Sequence, residues 1–227
     1  DLIDQLSAAG LDDTTWLPDF DKRSDDRLPR DRWRPYHGRP SAILIDAWCL
    51  GAVAEDQAAL DRPVNALEQA RDADGRWRTA INDLVAGPYR AFADSLDAIL
   101  FLQAPGFEVV LDWRCQQEAD LLGINPADLP AEERARLADF IQYFERITRR
   151  MLAGGITADV VVNLMPAGSP QLSVNRLLSG ELDAVVESLY DIMRYRLAGV
   201  PLQVVMPLGQ LPLATSLVTE TNSSVDG

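Results

Sequence analysis

Three short apolar runs, separated by helical stretches, constrain the fold of this chain most strongly. The runs cover residues 41–46, 97–103 and 158–164, and none of them alternates apolar with polar residues. Such runs are typical of strands buried on both faces of a parallel sheet. Strands that alternate with helices indicate an α/β domain. We therefore predict an α/β fold in which helices flank a parallel sheet.

The other predicted elements fill the intervals between these runs. Residues 1–10 are predicted to be the end of a helix that Gly10 closes, and further helices are predicted over 64–71, 76–96, 107–122, 130–152 and 181–197. In 130–152 the residues Phe140, Phe144, Ile147 and Met151 recur at helical spacing. Short strands are predicted at 14–17 and 202–206. Residues 166–170 contain two prolines and a glycine, which is typical of a linker. We therefore assign residues 1–165 to one domain and 166–227 to a C-terminal extension or the start of a second domain.

Composition excludes several classes of function. The net charge of −14 argues against the basic footprint of a nucleic-acid-binding protein. The chain has no 18-residue apolar run and no signal-peptide pattern, so we expect no membrane partner. Cys49 and Cys115 are too few for a metal cluster or a disulfide framework. They are expected to be buried free thiols, which weakly favours a cytoplasmic location. The oligomeric state stays open.

Asp46 is the first candidate for chemistry, because it follows the apolar residues 43–45 directly. In parallel sheets ligands bind beyond the carboxyl ends of the strands. A carboxylate at this position resembles the arrangement in which P-loop proteins hold Mg²⁺. The other interpretation is a helix-capping or turn aspartate.

A second candidate group surrounds Lys22, the only lysine among 21 basic residues. A lysine is a compact charge that suits a phosphate or carboxylate oxygen. Lys22 and Arg27 are therefore candidates for oxyanion contacts, and Asp21, Asp25 and Asp26 would orient them or bind substrate hydroxyls. The alternative is a solvated charged loop.

Further along the chain, Arg114 is a candidate cation for closing over phosphates. Its alternative role is a surface pair with Glu118, four residues later on the same helix. Arg146, Arg149 and Arg150 are predicted to form a solvated face of their helix. His37 is the only histidine, so a Ser-His-Asp or His-metal site is nearly excluded. The sequence also contains no G-x-x-x-x-G-K-[ST] phosphate-binding loop.

Eight segments within residues 1–165 stand in the order seen in one known family. They are Phe20-Asp-Lys-Arg-Ser-Asp-Asp-Arg27, Ile45-Asp-Ala-Trp-Cys-Leu-Gly-Ala52, Pro63-Val-Asn-Ala-Leu-Glu68, Asp74-Gly-Arg-Trp-Arg78, Ala86-Gly-Pro-Tyr89, Ala104-Pro-Gly-Phe-Glu-Val-Val-Leu111, Trp113-Arg-Cys-Gln-Gln-Glu118 and Phe140-Ile-Gln-Tyr-Phe-Glu-Arg-Ile-Thr-Arg149. Together they resemble D-glycerate 3-kinase-like proteins, which are P-loop kinases related to uridine kinase and pantothenate kinase.

The resemblance implies that ATP and Mg²⁺ are used to transfer a γ-phosphoryl group to a hydroxyl of D-glycerate or a similar hydroxy acid. By that likeness Lys22, Asp25 and Arg27 would face the substrate or the phosphates. Asp46 would organise the metal and contribute to cofactor binding. Arg114 would be the lid cation and would contact ATP.

Two departures from the family pattern qualify this expectation. The family usually has Glu-Gly-Trp-Cys where this chain has Asp46-Ala47-Trp48-Cys49. The family's P-loop strand, P-loop and Asp-Asp-Phe-Tyr segment match nothing in these residues, so we expect a fragment of a kinase, inactive as given. The alternatives are a pseudokinase-like binding or regulatory module and the kinase part of a bifunctional fusion.

Overall fold

The structure is a computed structural model, and it describes residues 2–21, 24, 26–165, 168–207 and 215–220. The chain forms two compact units, Asp1–Leu50 and Gly51–Gly227. Both units contain helices and small sheets, so the chain is an α/β protein.

The first unit is built around an antiparallel strand pair. Helix α1 (Leu2–Ala8) precedes strand β1 (Thr14–Leu17), which pairs with β4 (Arg34–His37). The short strands β2 (Phe20–Asp21) and β3 (Asp26–Arg27) form a second antiparallel pair, and a 3₁₀ helix covers Arg30–Arg32. The predicted strand at 14–17 is therefore confirmed.

Residues 41–46 do not form the buried strand that the sequence predicts. Their backbone is irregular, and the side chain of Leu44 is 96% exposed. A buried strand needs neighbours that satisfy its backbone N–H and C=O groups. The described part of the first unit pairs no strand with residues 41–46. An apolar composition alone was not enough to make this segment a strand, and the prediction was wrong.

The second unit contains the parallel strand pair that the sequence predicts. Strand β5 (Leu100–Gln103) pairs in parallel with β6 (Val160–Asn163), and Leu100 lies opposite Val160. Two of the three apolar runs are thus confirmed as strands. In the described residues the other strand pairs are antiparallel. The predicted parallel sheet flanked by helices is therefore confirmed only for β5 and β6.

Short helices precede β5. They are α2 (Gln57–Leu60), α3 (Ala66–Arg71), α4 (Arg76–Leu84) and α5 (Arg90–Ala93). The single helix predicted over 76–96 is instead interrupted by a π-helical turn, Val85–Tyr89, between α4 and α5. Pro88 lies inside that turn and lacks the N–H that an α-helix requires, which explains the change in hydrogen bonding.

Two long helices connect β5 to β6. Helix α6 (Val109–Leu122) ends at Gly123, a 3₁₀ helix covers Pro126–Asp128, and α7 (Ala131–Leu152) follows. Their predicted positions are confirmed within two residues. Cys115, Ala119 and Leu137 are almost completely buried on these helices. None of the described helices combines the length and apolar character that crossing a membrane requires.

The last described residues of the second unit form an antiparallel sheet with its own helices. Helix α8 (Pro170–Leu178) precedes strand β7 (Val185–Ser188), helix α9 (Leu189–Leu197), and strands β8 (Leu202–Pro207) and β9 (Thr215–Glu220). The strand order is β7-β9-β8. A hydrophobic core in this region consists of Val174, Leu177, Val185, Ile192, Tyr195 and Leu202.

The helix predicted over 181–197 is confirmed only in its second half, Leu189–Leu197. Residues 185–188 are a strand in which buried Val185 and Glu187 alternate with exposed Val186, the two-residue period of a sheet. Helix α9 begins after Ser188, whose hydroxyl accepts a hydrogen bond from the backbone N–H of Asp191. The strand predicted at 202–206 is confirmed as β8.

Candidate functional site

The candidate residues predicted near the start of the chain belong to the first unit. Arg27 lies on β3 and is exposed, and its backbone N–H donates to Asp26 Oδ1 at 2.7 Å. Asp46 is exposed on the irregular segment rather than at the end of a strand. Lys22 and Asp25 lie outside the described residues. Both of the described side chains are therefore accessible to a ligand.

Arg114 lies on α6 in the second unit and is held by its neighbours. Its Nη1 donates to Gln117 Oε1, and its guanidinium carbon lies 5.8 Å from the ring centre of Phe140. Glu118, the alternative partner, instead lies 3.9 Å from Arg136 Nη2. The structure thus places Arg114 over an aromatic ring rather than in the alternative surface pair with Glu118.

The most extensive polar cluster of the described residues is centred on Arg146. Its Nε and Nη2 donate to the two carboxylate oxygens of Glu68 at 2.8 and 2.7 Å. Its Nη1 donates to Glu55 Oε2 at 2.9 Å, and Nη2 also donates to the carbonyl of Arg62 at 2.6 Å. Arg146 is only 8% exposed. The expectation that Arg146 lies on a solvated face was therefore wrong.

A second buried arginine fixes the start of α4. Arg78 Nε donates to the carbonyl of Leu60 at 2.6 Å, and its Nη1 lies 3.1 Å from Asp72 Oδ2. The Asp72 carboxylate also accepts the backbone N–H groups of Trp77 and Arg78. A carboxylate at this place satisfies amides at the helix N-terminus that have no partner within the helix.

Further hydrogen bonds join two of the segments that the resemblance singled out, 63–68 and 140–149. Asn65 Nδ2 donates to the carbonyl of Gln142 at 2.9 Å and to Glu145 Oε2 at 3.1 Å. The backbone N–H of Leu67 donates to Gln142 Oε1 at 3.0 Å. The segments 63–68 and 140–149 therefore meet through both backbone and side-chain hydrogen bonds, although more than 70 residues separate them.

Hydrogen bonding decides the ionisation of the two buried carboxyls. Burial alone disfavours the charged form of Glu68, but hydrogen bonds from Arg146 and the Val64 amide outweigh it and lower the pKa of Glu68. Burial likewise opposes the charge on Asp72, and the amides of Trp77 and Arg78 together with the Arg78 charge lower the pKa of Asp72. The hydrogen bond to Glu68 and the neighbouring Glu55 raise the pKa of Arg146, so Glu68, Asp72 and Arg146 are charged at neutral pH.

These directions predict a loss of stability in acid. The pKa values of Glu68 and Asp72 are lower in the folded state than their ordinary values of 4.5 and 3.8. Their stabilising contribution is therefore complete above those values and is lost as the pH falls below them. We expect the midpoint of urea unfolding to fall as pH is lowered through this range. In the variant E68Q the part of that pH dependence due to Glu68 should disappear, and an unchanged profile would contradict the prediction.

The cluster does not have the properties of a reaction centre. Both oxygens of Glu68 and both of Asp72 are occupied by hydrogen bonds, so neither carboxylate is free to accept a substrate proton. In the described part of the chain, every fully buried side-chain nitrogen or oxygen has a partner. This cluster therefore holds α3, α4 and α7 together. The sequence signal for it was the resemblance, which marked the segments without indicating the burial of Arg146.

Asp46 remains the candidate for contact with a metal. No group of three or more His, Cys, Asp or Glu side chains in the described residues is arranged to hold a metal ion. Mg²⁺, however, usually takes one or two carboxylates and completes its shell with phosphate oxygens and water. An exposed single carboxylate fits that role only together with a nucleotide. Asp46 alone is therefore compatible with a metal that arrives bound to phosphates.

Cys49, three residues after Asp46, has an unusual backbone. Among the described non-glycine residues, Cys49 is the one with a positive φ, 58°. Residues with a side chain disfavour this region of backbone conformation. Cys49 is buried, and burial raises the pKa of its thiol. Its thiol is therefore protonated at neutral pH. Because the thiolate is the reactive form of cysteine, Cys49 is not suited to act as a nucleophile. The prediction of buried free thiols is confirmed for Cys49 and Cys115.

Comparison of the chain with protein-family models, with curated proteins and with solved structures found no match.

Proposed function

We propose that these residues belong to an ATP-dependent kinase that phosphorylates a hydroxyl of D-glycerate or a similar small hydroxy acid. The observation that supports the proposal most is the meeting of segments 63–68, 74–78 and 140–149, in which Arg146 binds Glu68 and the ring of Trp77 packs edge-on against that of Tyr143. If the segments resembled the family only by chance, they would not be expected to contact one another in the folded chain. A shared family core does give such a reason, because its segments must pack on one another.

In the proposed reaction the substrate hydroxyl oxygen attacks the γ-phosphorus of ATP, and the bond to the β-phosphate oxygen breaks to release ADP. Such a reaction needs positioning and neutralisation of charge more than a covalent nucleophile. Bound Mg²⁺ would neutralise phosphate charge, and Asp46 is the residue proposed to hold it. Lys22 and Arg27 would bind anionic oxygens of substrate or phosphate, Asp25 would orient them, and Arg114 would contact ATP. The hydroxyl proton would pass to a carboxylate base, the role that the resemblance gives to an aspartate of the family's Asp-Asp-Phe-Tyr segment.

We expect no phosphoryl transfer from the 227 residues alone. They contain no glycine-rich phosphate-binding loop, whose backbone amides hold the β- and γ-phosphates in this class of kinase. The measurement is ADP formation with ATP, Mg²⁺ and D-glycerate, compared with the same mixture without glycerate. Glycerate-dependent ADP formation would overturn this expectation.

Substrate binding tests the proposal itself. D-glycerate should give saturable shifts in the NMR spectrum of the chain, and R27A and K22Q should weaken binding about tenfold or more, the usual effect of losing a charged hydrogen bond. R32A is the matched control, since Arg32 is an exposed arginine only five residues from Arg27. Enzymes bind substrates with constants of about 1 µM to 1 mM, so no binding at about 10 mM contradicts the proposal and favours a pseudokinase-like module.

The bifunctional fusion is the second candidate, and one observation favours it. The hydrophobic core of Val174, Leu177, Val185, Ile192, Tyr195 and Leu202 draws all of its members from residues after 168. A core of this kind is what a further module requires. In that case glycerate binding by the earlier residues would persist, and the C-terminal residues would serve another activity.

A further inference from the structure

A cleft in the second unit has apolar walls and contains an arginine without a carboxylate partner. Its volume is about 490 Å³, which includes the open mouth. Trp77, Ile81, Val85 and Ile147 form much of the lining. Clefts with apolar walls and a few polar groups are the usual form of small-molecule sites. The enclosed part is small, so only a short ligand fits.

The arginine is Arg150, in the last turn of α7. It is half-buried, and its Nε donates a long hydrogen bond of 3.4 Å to the carbonyl of Val53. No carboxylate of the described residues lies within salt-bridge distance of its guanidinium. Arg78 and Arg146, which line the same cleft, each have carboxylate partners. Arg150 is only partly withdrawn from water, and its guanidinium can still pair with an anion in the cleft.

The backbone beneath Arg150 leaves room for this side chain. A Cβ atom at Gly155 would lie 2.4 Å from Arg150 Nε, so only glycine allows the side chain to lie there. The Gly155 N–H donates to the Arg150 carbonyl at 2.8 Å, and the Gly155 carbonyl accepts from the Val53 N–H at 2.9 Å. A helix C-terminus favours a cation, but it does not account for a guanidinium that lines an apolar cleft.

We propose that this cleft binds a short-chain monocarboxylate whose carboxylate pairs with Arg150. A guanidinium offers two parallel N–H groups that match the two oxygens of a carboxylate. The apolar lining suits a short alkyl group. Glu55 and Glu68 also line the cleft, and with Arg146 between them they leave one negative charge there. This residual negative charge opposes an added carboxylate, so we expect binding to be weak. The proposal does not depend on kinase activity.

The test is an NMR titration of the full chain with propionate and with propionamide, its neutral counterpart of similar shape. Propionate should bind saturably, and propionamide should bind at least about tenfold more weakly because it lacks the charge. R150Q should weaken propionate binding about tenfold or more. R149Q is the control, since Arg149 is the neighbouring arginine but is exposed and paired with Glu108 and Glu145.

Circular dichroism establishes whether each variant is folded. If R150Q is unfolded, R150K replaces it, because lysine keeps the charge and loses the two-pronged geometry. Propionate binding to R150K should then be weaker than to the parent chain. Equal binding of propionate and propionamide overturns the proposal. So does unchanged propionate binding in the folded variant at 150, or an equal loss in R149Q.

Discussion

Replacing Arg146 by methionine is expected to lower the free energy of unfolding by about 3–5 kcal/mol. Methionine keeps much of the apolar side chain but removes the guanidinium that occupies both oxygens of Glu68. Glu68 is 4% exposed and would be left as a buried, unpaired carboxylate. Removing one partner of a buried ion pair is costly for this reason. Urea unfolding followed by circular dichroism measures the change.

Arg149 provides the matched control for this substitution. It lies on the same helix, but its side chain is 47% exposed and its ion pairs with Glu108 and Glu145 are partly solvated. R149M should therefore cost about 0–1 kcal/mol. In the double variant R146M/E68L both charges are gone, and part of the lost stability should return. If R146M costs no more than R149M, the cluster around Arg146 is not a buried ion network.

Gly51→Ala is expected to lower the free energy of unfolding by about 2–5 kcal/mol. Gly51 has a φ of +78°, and an added Cβ would lie 2.4 Å from the carbonyl oxygen of Thr157. That region is already tight, because the Gly51 carbonyl accepts the Thr157 N–H at 2.7 Å and Ala52 bridges to Ile156. The substitution therefore combines backbone strain with a steric clash against backbone that cannot rotate away.

Gly199→Ala separates these two effects. Gly199 has a φ of +86°, but no atom lies within 4 Å of the position of its added Cβ. G199A should therefore show only the cost of a side chain in the left-handed region, about 1–2 kcal/mol. The comparison uses urea unfolding of both variants under one set of conditions. A loss in G51A that equals the loss in G199A would show that the approach of residues 51 and 157 is looser than described.

The helices were predictable where local pattern decides them. The spacing of Phe140, Phe144, Ile147 and Met151 predicted α7 almost to its ends, because a helix satisfies its backbone hydrogen bonds within itself. Residues 41–46 were not predictable in the same way, because a strand depends on partners elsewhere in the chain. Val185–Ser188 was missed for a related reason, since its partner β9 lies about 30 residues later.

For the candidate site, too, the sequence predicted some features and the fold decided others. Residue type and order singled out Lys22, Arg27, Asp46 and Arg114, and their proposed roles still rest on the resemblance. The fold shows that Arg27 and Asp46 are exposed and that the Arg114 guanidinium lies over the ring of Phe140. Nothing in the periodicity of α7 distinguished Arg146 from Arg149. Their difference depends on Glu68 and Glu55, which are about 80 and 90 residues away in the chain.

By itself the sequence determined the α/β class, the long helices and the absence of a phosphate-binding loop, because these depend on residue type and local spacing. Which of the three apolar runs became strands depended on pairing, and among the described residues only the runs that contain β5 and β6 found a partner in each other. Only the tertiary structure decided which charges are buried. An arginine on a helix becomes a structural anchor or a solvated residue according to the carboxylates and carbonyls that other segments bring to it. The same holds for Gly51, whose necessity comes from the approach of a carbonyl more than 100 residues away.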